Sequence, residues 1–309
     1  MGERRRYPVA DSHEGDRLDA YLASLTGLSR AVAARTIDAG DVRVDGRVAR
    51  KSDRVLAGQT IEAVLPDPPR VIPRAPEATI PILYDDDDVV VVNKPAGLAA
   101  HPSLNFDGPD VLGALVSMGI PVAQLGPVER HGIVHRLDVG TSGCMVVAKS
   151  SLAYSSLKDA FRYRRVEKIY HALVQGHPDP LSGTIDAPIG RAPSHQWKMG
   201  IVKGGKRAVT HYTLTEAMAG GSLLSVKLET GRTHQIRVHM AAIGHPCVGD
   251  TMYGADPRLA AALHLDRQWL HAQRLSFYHP RTQVWMTFEA PYPEDLASSL
   301  SQMRSHVVA

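Results

Sequence analysis

The stretch Gly132-Ile133-Val134-His135-Arg136-Leu137-Asp138-Val139-Gly140-Thr141-Ser142-Gly143 packs turn formers between apolar segments and carries one carboxylate, Asp138, two positions after Arg136. It reads as a loop feeding a strand at Met145. An acid displayed on a loop held by a sheet can act as a nucleophile or as the partner of a developing cation. Taken alone the signal is weak, because many such aspartates only cap turns. A second basic stretch places Arg232 on a glycine loop and Arg237 on the helix that follows. Tyr170 lies in an alternating strand, where a core tyrosine is an equally good reading. His131 and His135 stand four apart, the spacing of two ligands on one helix, but Gly132 and a β-branched pair intervene and no third ligand follows. No metal site is therefore expected. The run Asp85 to Asp88 puts neighbouring carboxylates in different directions and reads as a solvated hairpin turn. There is no Walker loop and no G-x-G-x-x-G opening a helix, so no nucleotide cofactor is expected.

The composition fits a globular protein: 44% of the 309 residues are apolar and 22% charged. No apolar run is long enough to span a bilayer, and the amino terminus is polar, unlike a signal peptide. Two cysteines, Cys144 and Cys247, suggest neither a disulfide framework nor a metal site, so a reducing cytoplasm is expected. A net charge of +3 hides two basic patches. Seven basic and four acidic residues lie between Arg30 and Arg54, and five basic and no acidic ones between Arg191 and His211. Two such patches point to a nucleic acid.

Five prolines between Pro66 and Pro76 forbid a helix and favour an extended linker. The expected division is a polar tail over 1–14, a small domain over 15–66, a linker over 67–79 and a large domain over 80–309. In the small domain, Leu18, Leu22 and Leu25 share a helical face, and Ser29 reads as the cap of a second helix ending near Gly40. A hairpin turning at Asp45-Gly46 and a strand from Gln59 to Val64 follow. The segments R-L-D-A-Y-L, L-S-R, A-G-D-V-R-V-D-G-R-V and A-G-Q-T-I resemble, in order, the S4-like RNA-binding domain. That resemblance implies phosphate contacts by Arg30, Arg35, Arg47, Arg50 and Lys51, giving affinity more than sequence choice. Asp19 reads as a structural brace and Gly46 as a turn.

The large domain is mostly strands, at Ile82 to Tyr84, Val89 to Val92, Met145 to Ala148, Ile169 to Val174 and Leu223 to Leu228. Ile236, Met240 and Ile243 fall at helical spacing. The fold class is α+β on an antiparallel or mixed sheet. Here H-R-L-D-V-G-T-S-G resembles the signature of the RluA/RluD-type pseudouridine synthases. Three further stretches agree in order: Asn93-Lys94-Pro95-Ala96-Gly97 with His101-Pro102, Glu167 to Gly176, and Gly231 to His239 continued by Gly244-His245-Pro246 and Gly249-Asp250. Val139-Gly140 stands where many relatives have Lys-Asp, and Cys144 where they have Leu.

The resemblance implies an enzyme that detaches uracil from ribose at N1, turns the base and rejoins it through C5, with no cofactor. It implies Asp138 as nucleophile, Tyr170 as a ring that stacks on uracil with its hydroxyl a candidate base, and Arg136 filling the stack vacated by a flipped uridine. A carboxylate in a water-poor pocket needs a paired cation, for which Arg237 is the candidate. Arg232 is the alternative, though it suits a phosphate better. His135 and the Lys203, Lys206 and Arg207 loop complete the expected RNA contacts. Large-subunit ribosomal RNA is the first expectation for the substrate, transfer RNA the second, and the enzyme is expected to be a monomer. Two rivals belong to other classes: a non-catalytic RNA-binding or ribosome-associated factor, and a nucleoside hydrolase, which would need a second carboxylate matching Asp138.

Overall fold

In a computed structural model the protein is described at residues 4–26, 28, 30–65, 75, 79–102, 106–127, 130–192 and 198–305. It forms two compact units, one of Met1–Ile72 with Gln124–His131, the other of Pro73–Ala123 with Gly132–Ala309. The linker expected over 67–79 falls almost wholly outside the described residues, as does Ser29.

The first unit runs β1 (Arg4–Pro8), α1 (Leu18–Thr26), α2 (Arg30–Asp38), β2 (Val42–Val44), β3 (Arg47–Val48) and β4 (Thr60–Val64). Its antiparallel sheet has the order β1-β4-β2-β3. Leu18, Tyr21, Leu22, Ala33, Ile37, Val42 and Ile61 form its core, as the helical and strand spacings require. Asp45 and Gly46 both take positive φ in the β2–β3 turn, which suits an Asp-Gly pair. One expectation is corrected: Arg4 to Pro8 is not a tail but an edge strand, paired residue by residue with β4. Its side chains are almost all exposed, so no alternation marked it; its backbone pairing places it, with Tyr7 against the core and Arg6 on Glu62 at 2.9 Å. Asp19 is the expected brace. Its buried carboxylate accepts from Arg17 at 3.0 and 3.2 Å and from Arg30 at 3.1 and 3.2 Å.

In the second unit the chain continues as β5 (Ile82–Asp85), β6 (Val89–Lys94), α3 (Val111–Ser117), β7 (Ser142–Ala148), α4 (Ser151–Arg162), β8 (Glu167–Gln175), β9 (Ser182–Asp186), β10 (Ile189–Arg191) and β11 (Met199–Ile201). It ends with β12 (Val209–Met218), β13 (Gly221–Leu228), α5 (Gln235–Ala242), α6 (Pro257–Ala262), β14 (Leu270–Tyr278), β15 (Trp285–Glu289) and α7 (Glu294–Ser305). Nine strands make one sheet in the order β5-β6-β7-β14-β8-β13-β12-β9, with β15 added on β14. The β7–β14 pair is parallel and the others antiparallel, giving a mixed sheet. Apolar residues cover both faces. Val90, Val92, Met145 and Val147 enter one core, and Val89, Val91, Cys144 and Val146 the other. Burial on both faces explains why Val89 to Val92 is an unbroken apolar run.

Parallel contact between β7 and β14 demands a glycine. Gly143 has φ +118, and a Cβ there would lie 2.3 Å from the Ala272 carbonyl oxygen. The Asp85–Asp88 turn forms as expected but is not simply solvated. Asp88 is buried, accepting from Arg281 at 2.6 and 2.8 Å and from the Ser150 hydroxyl at 2.6 Å.

Candidate active site

Asp138 sits on the loop that enters β7, and that loop is fixed from several sides. Its own carbonyl accepts the Thr141 N–H at 3.0 Å, closing a turn. The next carbonyl, Val139, accepts from Gly97 N–H at 2.9 Å and from the Lys94 ammonium at 3.3 Å. Lys94, fully buried at the end of β6, also donates to Pro95 and Leu98 carbonyls at 2.8 and 2.9 Å. One side chain thus ties the Pro95–Leu98 turn to the Asp138 loop. Burial pulls the Lys94 pKa down to about 7 against the opposing charge of Asp138. Arg267, held by Asp295, donates to the Gly140 carbonyl at 3.0 Å, and Gln268 donates to Thr141 at 3.1 Å.

Arg237 comes from α5, one turn in from its start. Gln235 pins the preceding loop: its amide oxygen accepts from Arg232 N–H and the Thr230 hydroxyl, and its nitrogen donates to Val209 and Thr210. His234 takes φ +56 as the helix cap, turning its ring into the site. The result places Arg237 Nη1 3.7 Å and His234 Nε2 4.0 Å from Asp138 Oδ2. Arg237 spends its other two nitrogens on Asp250, Nε at 2.6 Å and Nη2 at 2.8 Å. Both residues are buried, at 5% and 2% exposure, so the pair is shielded from water. Burial opposes the charge on Arg237, but Asp250 first and Asp138 next raise its pKa. The guanidinium also lies 4.9 Å from the Tyr253 ring centroid, and the Tyr253 hydroxyl is 2.8 Å from His234 Nδ1. Burial, ahead of the pull of Asp138, keeps His234 below the usual histidine pKa.

A cleft of about 490 Å³, open to solvent, brings together Arg136, Asp138, Tyr170, Arg232, His234 and the backbone of Gly231. Tyr170, on β8, is in the cleft wall, as expected of a stacking ring. Its hydroxyl is a poor base, however: burial, with Asp138 adding to it, pushes its pKa above the usual phenol value. Arg136 is exposed at the rim, whereas Arg232 is half-buried, its Nε donating to the Arg207 carbonyl at 3.0 Å.

Other expected RNA contacts differ from one another. His135 is corrected from RNA contact to anchor: its Nε2 accepts the Val146 N–H at 3.0 Å and its ring stacks on Phe161 at 4.5 Å. Burial lowers its pKa to about 3, so it carries no charge for a phosphate. Arg35, Arg47, Arg50, Lys203 and Lys206 are exposed with no carboxylate partner among the described residues. Arg30 is bound to Asp19, Lys51 to Asp38 at 2.9 Å, and Arg207 to Asp186 at 3.2 Å. Asp250, His234 and Lys94 were given no role from sequence, although all three stand inside the quoted motifs.

Residues 88–242 match the family model described as RNA pseudouridylate synthase, and residues 16–61 match the S4 domain. An uncharacterised RNA pseudouridine synthase of Mycobacterium bovis is 54% identical over 97% of this chain and 98% of its own. The ribosomal large subunit pseudouridine synthase D of Escherichia coli is 39% identical over 96% of this chain and 93% of its own. Among solved structures, human RNA pseudouridylate synthase domain containing 1 aligns with a TM-score of 0.58 and 30% identity, over 72% of this chain and 89% of its own. With a carboxylate loop and an arginine helix on one mixed sheet, preceded in sequence by an S4 domain, these matches make the protein an RNA-modifying isomerase. The chain belongs to the RNA pseudouridine synthase family.

Proposed function

We propose that this enzyme converts uridine to pseudouridine in large-subunit ribosomal RNA, with Asp138 as the nucleophile. The observation that carries the reading is the placing of the Asp138 carboxylate, 3.7 Å from Arg237, in the same cleft as Tyr170. Asp138 adds to C1′ of the ribose as the bond to N1 breaks, and N1 departs with the electron pair. The uracil turns within the cleft while Tyr170 covers its face. C5 then attacks C1′ and the carboxylate leaves. A proton is lost from C5 and one is gained at N1. The product is an isomer of the substrate, so the balance calls for no oxidant or reductant. Because the phenol of Tyr170 stays protonated, the carboxylate released at the end is the better acceptor for the C5 proton.

Arg237 holds charge beside Asp138 through the reaction, and Arg136, exposed at the rim, occupies the space that a flipped uridine leaves. The 39% identity to a ribosomal large subunit synthase favours ribosomal over transfer RNA. A cytoplasmic setting agrees with two free, buried thiols. The test is a map of pseudouridines across total RNA from cells with and without the gene. Loss of one or more large-subunit sites is expected; loss confined to transfer RNA would overturn the substrate assignment.

A further inference from the structure

The catalytic cleft continues past Tyr170. A second cavity of about 1030 Å³, also open to solvent, shares Arg136, Tyr170, Leu228, Gly231 and Arg232 with the first and reaches the carboxyl end of α4. Its charge is lopsided. Arg136, Arg162, Arg164, Lys168 and Arg232 line it, against one acid, Glu229. That acid is already taken, by His211 at 2.9 Å, Arg164 at 3.3 Å and Arg207 at 3.6 Å.

Lys168 is the informative group. Strand alternation puts it on the same face of β8 as Tyr170, two residues along, while Glu167 faces the other way and pairs with Lys227 and Arg274. A Cβ built on Gly231 would lie 3.9 Å from Lys168 Nζ, so the ammonium stands at the border between the two cavities. It is half-buried and has no carboxylate or hydrogen-bond partner among the described residues. Burial, with Arg164 second, lowers its pKa to about 8. A shielded cation among other cations is an uphill arrangement until an anion joins it. Phe161, the other ring in the wall, is stacked on His135, so the cavity offers charge more than a platform for a base.

We propose that this second cavity is a phosphodiester subsite, in which Lys168 and Arg164, with Arg232 at the shared rim, grip the backbone joining the target uridine to its neighbour. The proposal rests on the reading of the Asp138 cleft as the uridine site. It gives the strand a direction of exit: target base in the first cleft, flanking phosphate over Lys168.

The test uses the full chain and an unmodified large-subunit ribosomal RNA transcript, with filter binding at several salt concentrations. Lys168→Met keeps the stem and removes the charge. Affinity should fall roughly tenfold, as for the loss of one charge-assisted hydrogen bond, and the slope of log affinity against log salt should flatten by about 0.7 to 0.9. In the free protein the same substitution should hold or raise the melting temperature, because it removes an unpaired, half-buried charge. Wild-type affinity should also decline as pH rises through about 8, where free Lys168 loses the proton that a bound phosphate would retain. Lys168→Arg, which stays charged, should abolish that decline. An unchanged affinity and slope, or a lowered melting temperature with binding intact, would overturn the subsite and mark Lys168 as structural. Pseudouridine formation on the same transcript is scored separately, so failure of the catalytic reading shows as wild-type binding without product.

Discussion

Arg237 gives its two-pronged face to Asp250, at 2.6 and 2.8 Å, and only its remaining nitrogen to Asp138, at 3.7 Å. The bidentate pair is thus a clamp behind Asp138, with Asp250 fixing where the guanidinium points. Asp250→Asn should leave RNA affinity within a few-fold while the single-turnover rate falls roughly 10²-fold, the scale of a small misplacement at a reacting centre. Arg237→Ala should do more, since Asp138 loses the cation beside it. Arg237→Lys should recover part of the rate, because an ammonium supplies charge but cannot hold both carboxylates in plane. Rates at saturating enzyme, set against binding titrations, decide this. If Asp250→Asn turns over normally, the clamp has no part in aiming Arg237.

Lys94 is a separate support for the same loop. Lys94→Met would leave three carbonyls, at Pro95, Leu98 and Val139, without their donor. A stability loss of about 3 kcal/mol or more is expected from unpaired buried acceptors. The sign of its pH dependence is fixed: a lysine held at about 7 in the fold and higher when unfolded binds fewer protons folded than unfolded. Stability from this group therefore rises between pH 7 and about 10. Denaturant midpoints of wild type and variant across that range should diverge as pH increases; convergence would contradict the assignment.

In the first unit, Asp19 titrates the opposite way. Hydrogen bonds from Arg17, then Arg30, lower its pKa to about 2 against the cost of burial. Its contribution is present above the ordinary carboxylate range and is lost as pH falls from about 4 to about 2. Amide exchange in α1 should show wild type better protected than Asp19→Asn at pH 5, with the gap closing toward pH 2. A gap that stays constant would rule out the charge as its source.

Whereas Lys51 and Arg207 are held by Asp38 and Asp186, Arg50, Lys203 and Lys206 are exposed with no carboxylate partner among the described residues. Each changed to Ala should weaken RNA binding and flatten its salt dependence by roughly one phosphate contact, with turnover at saturation nearly unchanged. A drop in saturating rate instead would move that residue into the catalytic machinery.

The gathering of Asp138, Tyr170 and Arg237 at one place was legible in the sequence because each lies inside a short run of residues that also builds its local support. What escaped notice depends on chain return. Asp250 reaches Arg237 only because the chain turns back at Gly244–Pro246, which no periodicity records. β1 escaped because an exposed edge strand has no apolar alternation to read. His135 read as an RNA contact, yet its ring is turned inward to an N–H of β7 eleven residues later. Arg162 and Arg164, at and just past the end of α4, gained meaning only because Lys168 of β8 and the Gly231 loop line the same cavity.

The central claim is that Asp138 attacks the ribose, and Asp138→Asn tests it with little change in size. The variant should bind an unmodified large-subunit transcript within a few-fold of wild type. Its single-turnover formation of pseudouridine should fall by at least about 10³-fold, as expected when a nucleophile is removed. Tight binding with no product is the result the account requires. Pseudouridine formed by Asp138→Asn at near wild-type rate would contradict it.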